Sequence, residues 1–302
     1  MYTASVNRSR QTSGIQREPR IVYFLQDIWR IVFYLFFLTA DISVFISLPA
    51  IHPPWLDLSG RIGGCLLVHV LLVFLLGELI PKPPEGSLRI SRDRKYLLWV
   101  ISRSFSDVVT SVLFVLPFRS LHLTRYIYFR ALGARLAYDS TIDPSVNIQT
   151  PRLLAVDAGA KLEAGVKVEN VVHAMGRVKI SPVTISEGAL VGAHVVLMPG
   201  ATLGPNARVG PGAYIGPETC IGVGAKVGEG AILAAGVDLG SYVRIGAGCV
   251  IAEGVSIAEN ARVRTGSIIP PSTRIRAGEV WQGVPARPVF RDARHPEDSE
   301  ER

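Results

Sequence analysis

The stretch Ile185-Ser-Glu-Gly-Ala-Leu-Val191-Gly-Ala-His-Val-Val-Leu197-Met-Pro-Gly-Ala-Thr-Leu203-Gly-Pro-Asn-Ala-Arg-Val209 returns an aliphatic residue at every sixth position. The phase runs on through Ile215, Ile221, Val227 and Leu233 to Ile269 and Ile275, sixteen aliphatic residues in sixteen slots, with Trp281 in the next. Two residues before each slot stands a mostly small side chain, such as Ala189, Ala201, Ala207 or Cys249, and the residue after it is often glycine, as at Gly192, Gly204 and Gly210. A period of six is the signature of a parallel β-helix. Each unit supplies one short strand and one turn. The aliphatic side chain points into a narrow prism, the small one fits beside it, and glycine accepts the tight corner. Three units close a coil of 18 residues, and stacked coils bury one another's faces.

The same phase begins earlier, at Ile142 and Ile148, then Val156, Leu162 and Val168. It slips at Thr150–Leu153 and breaks again at Glu169–Pro182. The prism is therefore expected over residues 138–290, with one excursion loop at 169–182 and a polar tail at 291–302. Loops that leave a rigid solenoid are where chemistry usually sits. The glycine spacings Gly222-x-Gly224 and Gly204…Gly210 resemble phosphate-binding motifs, but no Lys-Ser/Thr follows them and no strand-to-helix pattern surrounds them, so they read as turn glycines.

Upstream the texture changes. The 302 residues are 48% hydrophobic and 19% charged, with a net charge of +7 and a mean hydropathy of +0.31. This excludes a disordered, highly charged chain. The three cysteines, Cys65, Cys220 and Cys249, make no disulfide framework and no zinc spacing. Residues 31–48 hold 14 apolar residues in 18 before Pro49, and 62–80 form a second apolar run closed by Pro81, Pro83 and Pro84. As helices both approach the ~30 Å hydrocarbon thickness, and they read as a transmembrane hairpin. The basic tail 1–30 carries Arg8, Arg10, Arg17, Arg20 and Arg30, and Lys82–Lys95 carries five more cations, whereas the loop between the spans has only Arg61. Basic flanks stay inside, so both termini and the prism are expected to be cytoplasmic at the inner membrane. The arginines then serve orientation and contact with membrane lipid; no nucleic-acid motif accompanies them. Segment 96–135, where Arg119, Arg125 and Arg130 interleave with aromatics, is expected to form interfacial helices, a third span over Leu97–Phe118 being the competing reading. Asp41 and His69, charged or polar within the spans, can pair across the hairpin, and Glu78 can reach an interface.

Within this frame, Val191-Gly-Ala-His194 through Pro199-Gly200 and Gly204 resembles the catalytic coil of left-handed β-helix, hexapeptide-repeat acyltransferases. The segment from His173 through Pro182 to Ile185 resembles the loop that re-enters the prism one turn before that histidine. The ending Ile269-Pro270-Pro271, then Trp281-Gln-Gly283-Val-Pro285-Ala286-Arg287, is similar to that family's closing segment. Apolar and basic helices joined to such a prism further resemble the membrane-associated terminal domain of nonribosomal peptide synthetases of the polylysine synthetase type.

The resemblance implies membrane and interfacial helices followed by a left-handed parallel β-helix, assembled as a homotrimer. It implies transfer of an acyl group, such as acetyl, from acyl-CoA as cosubstrate to a hydroxyl or amine of a small molecule, an envelope glycan, a lipid-linked sugar or a peptide. His194 matches the general base, and an imidazole suits that role near neutral pH. His173 would orient the acceptor, while Trp281, Gly283 and Arg287 would contact the CoA end. Some four coils separate His194 from Pro270, which moves that closing segment away from the thioester. No metal is expected: a site like that of β-helix carbonic anhydrases needs three histidines, and the prism offers His173 and His194. A non-catalytic trimeric scaffold holding a partner at the membrane shares the same fold.

Overall fold

The structure, a computed structural model, describes residues 20–48, 54–80, 82–83, 85–89, 94–109, 122–174 and 177–289. Among the described residues four helices precede the prism, α1 (Arg20–Ser47), α2 (Pro54–Leu79), α3 (Arg94–Val109) and α4 (His122–Ala131), with a strand, Gly86–Arg89, between α2 and α3. Within α1 and α2, Asp27–Ser47 and Asp57–Leu79 are long and apolar enough to cross a membrane. The first helix begins well inside the stretch read as a basic tail, and residues 1–19 lie outside the described ones. Both helices present apolar side chains outward, among them Ile31, Leu35, Ile46, Leu67, Leu71 and Leu79. The expected pairing across the hairpin is present, with His69 Nδ1 3.5 Å from Asp41 Oδ2 and the His69 ring beside Phe37.

Helix α3 is short and buries one face against α1. Phe33 meets Phe105 edge-on, and Asp107, one of the two charges that interrupt the run 97–118, takes a 2.5 Å contact from Arg30. The competing third span reaches into residues 110–118, outside the described ones. Helix α4 caps the base of the prism, where Phe129 and Leu132 join its core and the Tyr128 hydroxyl donates to the Val109 carbonyl at 2.6 Å.

From Arg135 the chain winds a parallel β-solenoid of about eight turns. Its first face stacks eight strands, starting with 135–136 and ending with 274–275. The second runs from 141–142 to 280–283, with 286–288 added antiparallel at its end, and the third from 147–148 to 268–269. Within each two-residue strand the second side chain is buried and the first faces outward. Val191, Leu197, Ile215, Leu233 and Ile251 are each 0% exposed. Burying such a side chain stabilises by roughly 1.5–3 kcal/mol, so the periodic column is the source of the fold's cohesion. The slip at 150–153 is a one-turn 3-10 helix, Pro151–Leu153.

The excursion read as a loop is instead a β-hairpin. Val171–Ala174 pairs antiparallel with Arg177–Ile180, which pairs with Gly86–Arg89. Alternation explains it: Val171, Val178, Ile180 and Leu88 point to one side and bury against Tyr96, Trp99 and Val100 of α3. The hairpin thus fastens the prism to the helical region.

Candidate active site

Three corners join the three faces, and from Gly159 onward the second turn residue at each has a positive φ. On the corner between the second and third faces, glycine fills that position at Gly165, Gly212, Gly230, Gly248 and Gly266. His194 takes the same place in the intervening coil with φ 58°. An L-residue held there costs roughly 1–2 kcal/mol. Asn206, Glu218, Tyr242, Asn260 and Ser272 share this conformation at the other two corners, so what sets His194 apart is its place in a column of glycines.

The turn around His194 is held from both neighbouring coils. His194 N donates to Ala164 O at 2.8 Å, and Gly212 N donates to Ala193 O at 2.8 Å. Glu163 Oε2 accepts from Ala193 N at 3.0 Å. The imidazole lies over Gly165: a Cβ there would stand 2.3 Å from His194 Nδ1 and 2.6 Å from Cε1. Only glycine leaves room for the ring. Gly165 N is held by Ser145 Oγ at 2.8 Å, and Ser145 donates to Asp143. These bonds, from the Ser145 hydroxyl first and its N–H second, keep the Asp143 carboxyl below the usual carboxylate range. The imidazole itself is exposed.

The two faces that meet at this corner differ in character. Outward on the second face stand Arg208, Lys226, Arg244 and Arg262, on consecutive strands. Outward on the third, from Val196 upward, stand Val196, Tyr214, Ile232, Val250 and Ile268, of which Ile232 and Ile268 are exposed; below them stand Asn147 and Lys167. The first face carries Thr184, Thr202, Cys220, Asp238 and Ser256. His194 therefore sits between a basic face and an apolar one.

His173 is not beside it. The hairpin leaves between strand 167–168 of the third face and strand 183–185 of the first, so the two histidines border the apolar face on opposite edges. The exposed His173 ring lies 6.0 Å from that of Trp99. Trp281, Gly283 and Arg287 occupy the terminal hairpin of the second face, five strand spacings from Leu190. That is about 24 Å along the prism. There Trp281 Nε1 donates to Glu279 at 2.9 Å, Gly283 N donates to Ser267 Oγ at 3.2 Å, and Arg287 is exposed. A single chain thus brings together neither the two histidines nor His194 and the closing segment. Among the described residues no group of three or more His, Cys, Asp or Glu could hold a metal ion.

Reading six residues at a time conceals which residues stack on one another in adjacent coils. Glu163, Gly165 and the cationic column lie one coil apart from their partners, a register that the aliphatic slots alone do not display.

Residues 182–217 match the family model described as bacterial transferase hexapeptide (six repeats), and 238–270 match that of the hexapeptide repeat of succinyl-transferase. The prism is a hexapeptide-repeat solenoid. No curated protein matches the chain. Among solved structures, the chain is similar to a UDP-N-acetylglucosamine O-acyltransferase from Moraxella catarrhalis (14% identity, 52% of this chain and 72% of that one, TM-score 0.40). It is also similar to the acetyltransferase domain of PglB from Neisseria gonorrhoeae, solved with acetyl coenzyme A (20% identity, 55% and 65%, TM-score 0.29). A third is PerB from Caulobacter crescentus, solved with CoA and GDP-perosamine (20% identity, 57% and 67%, TM-score 0.24).

Proposed function

We propose that the protein is a membrane-anchored acyltransferase that moves an acyl group from acyl-CoA to a hydroxyl or amine, with His194 as general base. The observation that carries this reading is His194 itself, a strained, exposed imidazole in a column of glycines, with Gly165 vacated beneath it. Its Nδ1–Cε1 edge lies over Gly165, so Nε2 takes the proton as the acceptor's oxygen or nitrogen attacks the thioester carbonyl. The carbon–sulfur bond breaks, and the CoA thiolate leaves with the proton that the imidazolium returns. No covalent enzyme intermediate is needed.

The apolar third face is a contiguous surface of the kind that a second copy covers. Assembly as a homotrimer would bury it and put His194 at the rim of an interface, where a neighbouring chain can complete the site. CoA is long, and its nucleotide end is remote from its thiol. Trp281, Gly283 and Arg287, some five coils from the base, suit that remote end and not the thioester. His173, across the apolar face within one chain, would contact the acceptor from a neighbouring copy. The acceptor class is an envelope glycan, a lipid-linked sugar or a peptide. The outward apolar side chains of α1 and α2 would face lipid, and the basic flanks would keep both ends and the prism on the cytoplasmic side, where acyl-CoA is found.

The test is thioester consumption by purified protein offered a panel of hydroxyl and amine acceptors. His194→Ala should lower the rate by roughly 10²–10⁴-fold while CoA still raises the melting temperature. Wild-type rates in that variant would leave a trimeric scaffold as the better reading.

A further inference from the structure

The cationic column of the second face needs an occupant. Arg208, Lys226, Arg244 and Arg262 pair in register on successive parallel strands. Their spacing is about 4.8 Å and the four together span about 14 Å. Like charges placed so repel one another. Among the described residues no ion pair involves any of the four. With Asn206, Tyr242 and Asn260 along the adjoining corner they line a groove of about 440 Å³ that contains no carboxylate.

The last described residue of the chain lies at one end of this groove. Strand 286–288 turns back antiparallel on 280–283, and Val289 N donates to Val280 O at 2.7 Å. Val280 is the next rung after Arg262. Residue 289 therefore stands at the head of the column, on the side where its strands begin. The following segment 290–302 carries Glu297, Asp298, Glu300 and Glu301 within five residues; Asp292 lies ahead of this run, Arg291 and Arg294 fall in the lead to it and Arg302 ends it. Eight residues lead from Val289 to Glu297, a reach of up to about 27 Å at ~3.4 Å each. The farthest rung, Arg208, lies five spacings from Val289, about 24 Å away. The run 297–301, four carboxylates in about 14 Å of extended chain, matches the four cations in length and lies within reach of them.

We propose that the groove over Arg208, Lys226, Arg244 and Arg262 is a binding site for an acidic peptide, and that its occupant is this chain's own segment 290–302. The assignment does not depend on acyl transfer. Exposed ion pairs are individually weak and screened by salt, so the segment docks reversibly and yields to high salt or to a competing polyanion.

Lys226 supplies the reporter. Treating the full-length protein with a carbodiimide at low salt should condense the Lys226 amine with a carboxylate of Glu297, Asp298, Glu300 or Glu301. An amide forms, and the reagent takes up the water lost. In a mixture of unlabelled and nitrogen-15-labelled protein the linked peptides should come from one chain, and the link should vanish near 1 M salt, where screening reaches ~3 Å. Independently, the fourfold variant E297Q/D298N/E300Q/E301Q should elute from a sulfated-polysaccharide column at higher salt than wild type. That gain should disappear in the R208Q/R244Q background. A gain of equal size in that background would reflect net charge alone and overturn the proposal. So would links only between chains, or no link from Lys226 to the segment.

Discussion

The lower coils of the prism, up to strand 196–197, and the upper coils, from 202–203 to 274–275, follow the same repeat and differ in what interrupts it. The upper coils advance by 18 residues without insertion. The lower ones contain the 3-10 turn at 151–153, the hairpin 171–180, the capping helix α4, the Glu163 bond to the next coil and His194. A repeating stack supplies rigidity, and each departure from it sets a polar group at a defined corner. The difference teaches that a solenoid's chemistry is sought where its sequence stops repeating, provided that the departure leaves the inward column intact. Here it does: Val191, Val195 and Leu197, around His194, are each 0% exposed.

Replacing His194 by glycine sharpens this contrast most. It turns the lower corner into the upper one, where glycine holds the position at Gly212, Gly230, Gly248 and Gly266. Transfer should fall by the same ~10²–10⁴-fold as in His194→Ala. Stability should rise instead of falling, by about 1 kcal/mol or less, because glycine relieves the left-handed backbone. Denaturant titration beside the rate assay checks both. A glycine variant no more stable than the alanine variant would remove the argument from strain.

The inward columns should not distinguish the halves at all. Leu197 and Leu233 are both fully buried on the third face, one in each half. Truncating either to alanine should cost ~2–5 kcal/mol. A cost below about 1 kcal/mol at Leu197 alone, measured by the same titration, would mean that the lower coils are held by the helices and not by the stack.

The halves also differ in how far they were legible in the sequence. The six-residue phase gave the solenoid, its start, the slip at 150–153 and the place of the excursion, because each aliphatic slot reports its own burial. It gave His194 as a candidate. It did not give the hairpin, since the alternation of Val171, Val178 and Ile180 gains meaning only once α3 supplies Trp99 to cover it. Nor did it separate the two histidines, which are 21 positions apart in sequence yet border opposite edges of one face. Corner identity depends on counting in threes through an insertion, and the insertion hid the count. The cationic column was in plain view at a period of 18, but composition had assigned the positive charge to membrane flanks.

A smaller effect distinguishes two glycines on the same corner. Gly165 and Gly230 both have positive φ, 70° and 60°. A Cβ at Gly230 meets nothing within 4 Å, whereas at Gly165 it would stand 2.3 Å from the His194 ring. Gly230→Ala should cost about 1 kcal/mol from the backbone alone and leave transfer unchanged. Gly165→Ala should add displacement of the imidazole and lower transfer by about tenfold or more, as small misplacements of catalytic groups do. Equal rates in the two variants would show that the ring's position over Gly165 is immaterial to the chemistry.

The smallest effect lies at the foot of that corner, where Asp143 accepts from the Ser145 hydroxyl and N–H, and Ser145 in turn receives Gly165 N. A carboxyl whose folded pKa is depressed stabilises the fold at pH values above its ordinary pKa, near 3.9. That contribution is lost as pH falls through the lower folded value. Asp143 is largely solvated, so screening holds the contribution to about 0.5 kcal/mol or less. Asp143→Asn keeps an oxygen acceptor for Ser145 and removes only the charge. It should melt slightly below wild type at pH 7, and the gap should close only as the pH is taken below the depressed folded pKa of Asp143, read by thermal melts from pH 7 to about pH 2. A gap of constant size across that range would assign the effect to geometry rather than charge. The corner beneath His194 would then be fixed by the shape of its turn, as the glycine corners of the upper coils are.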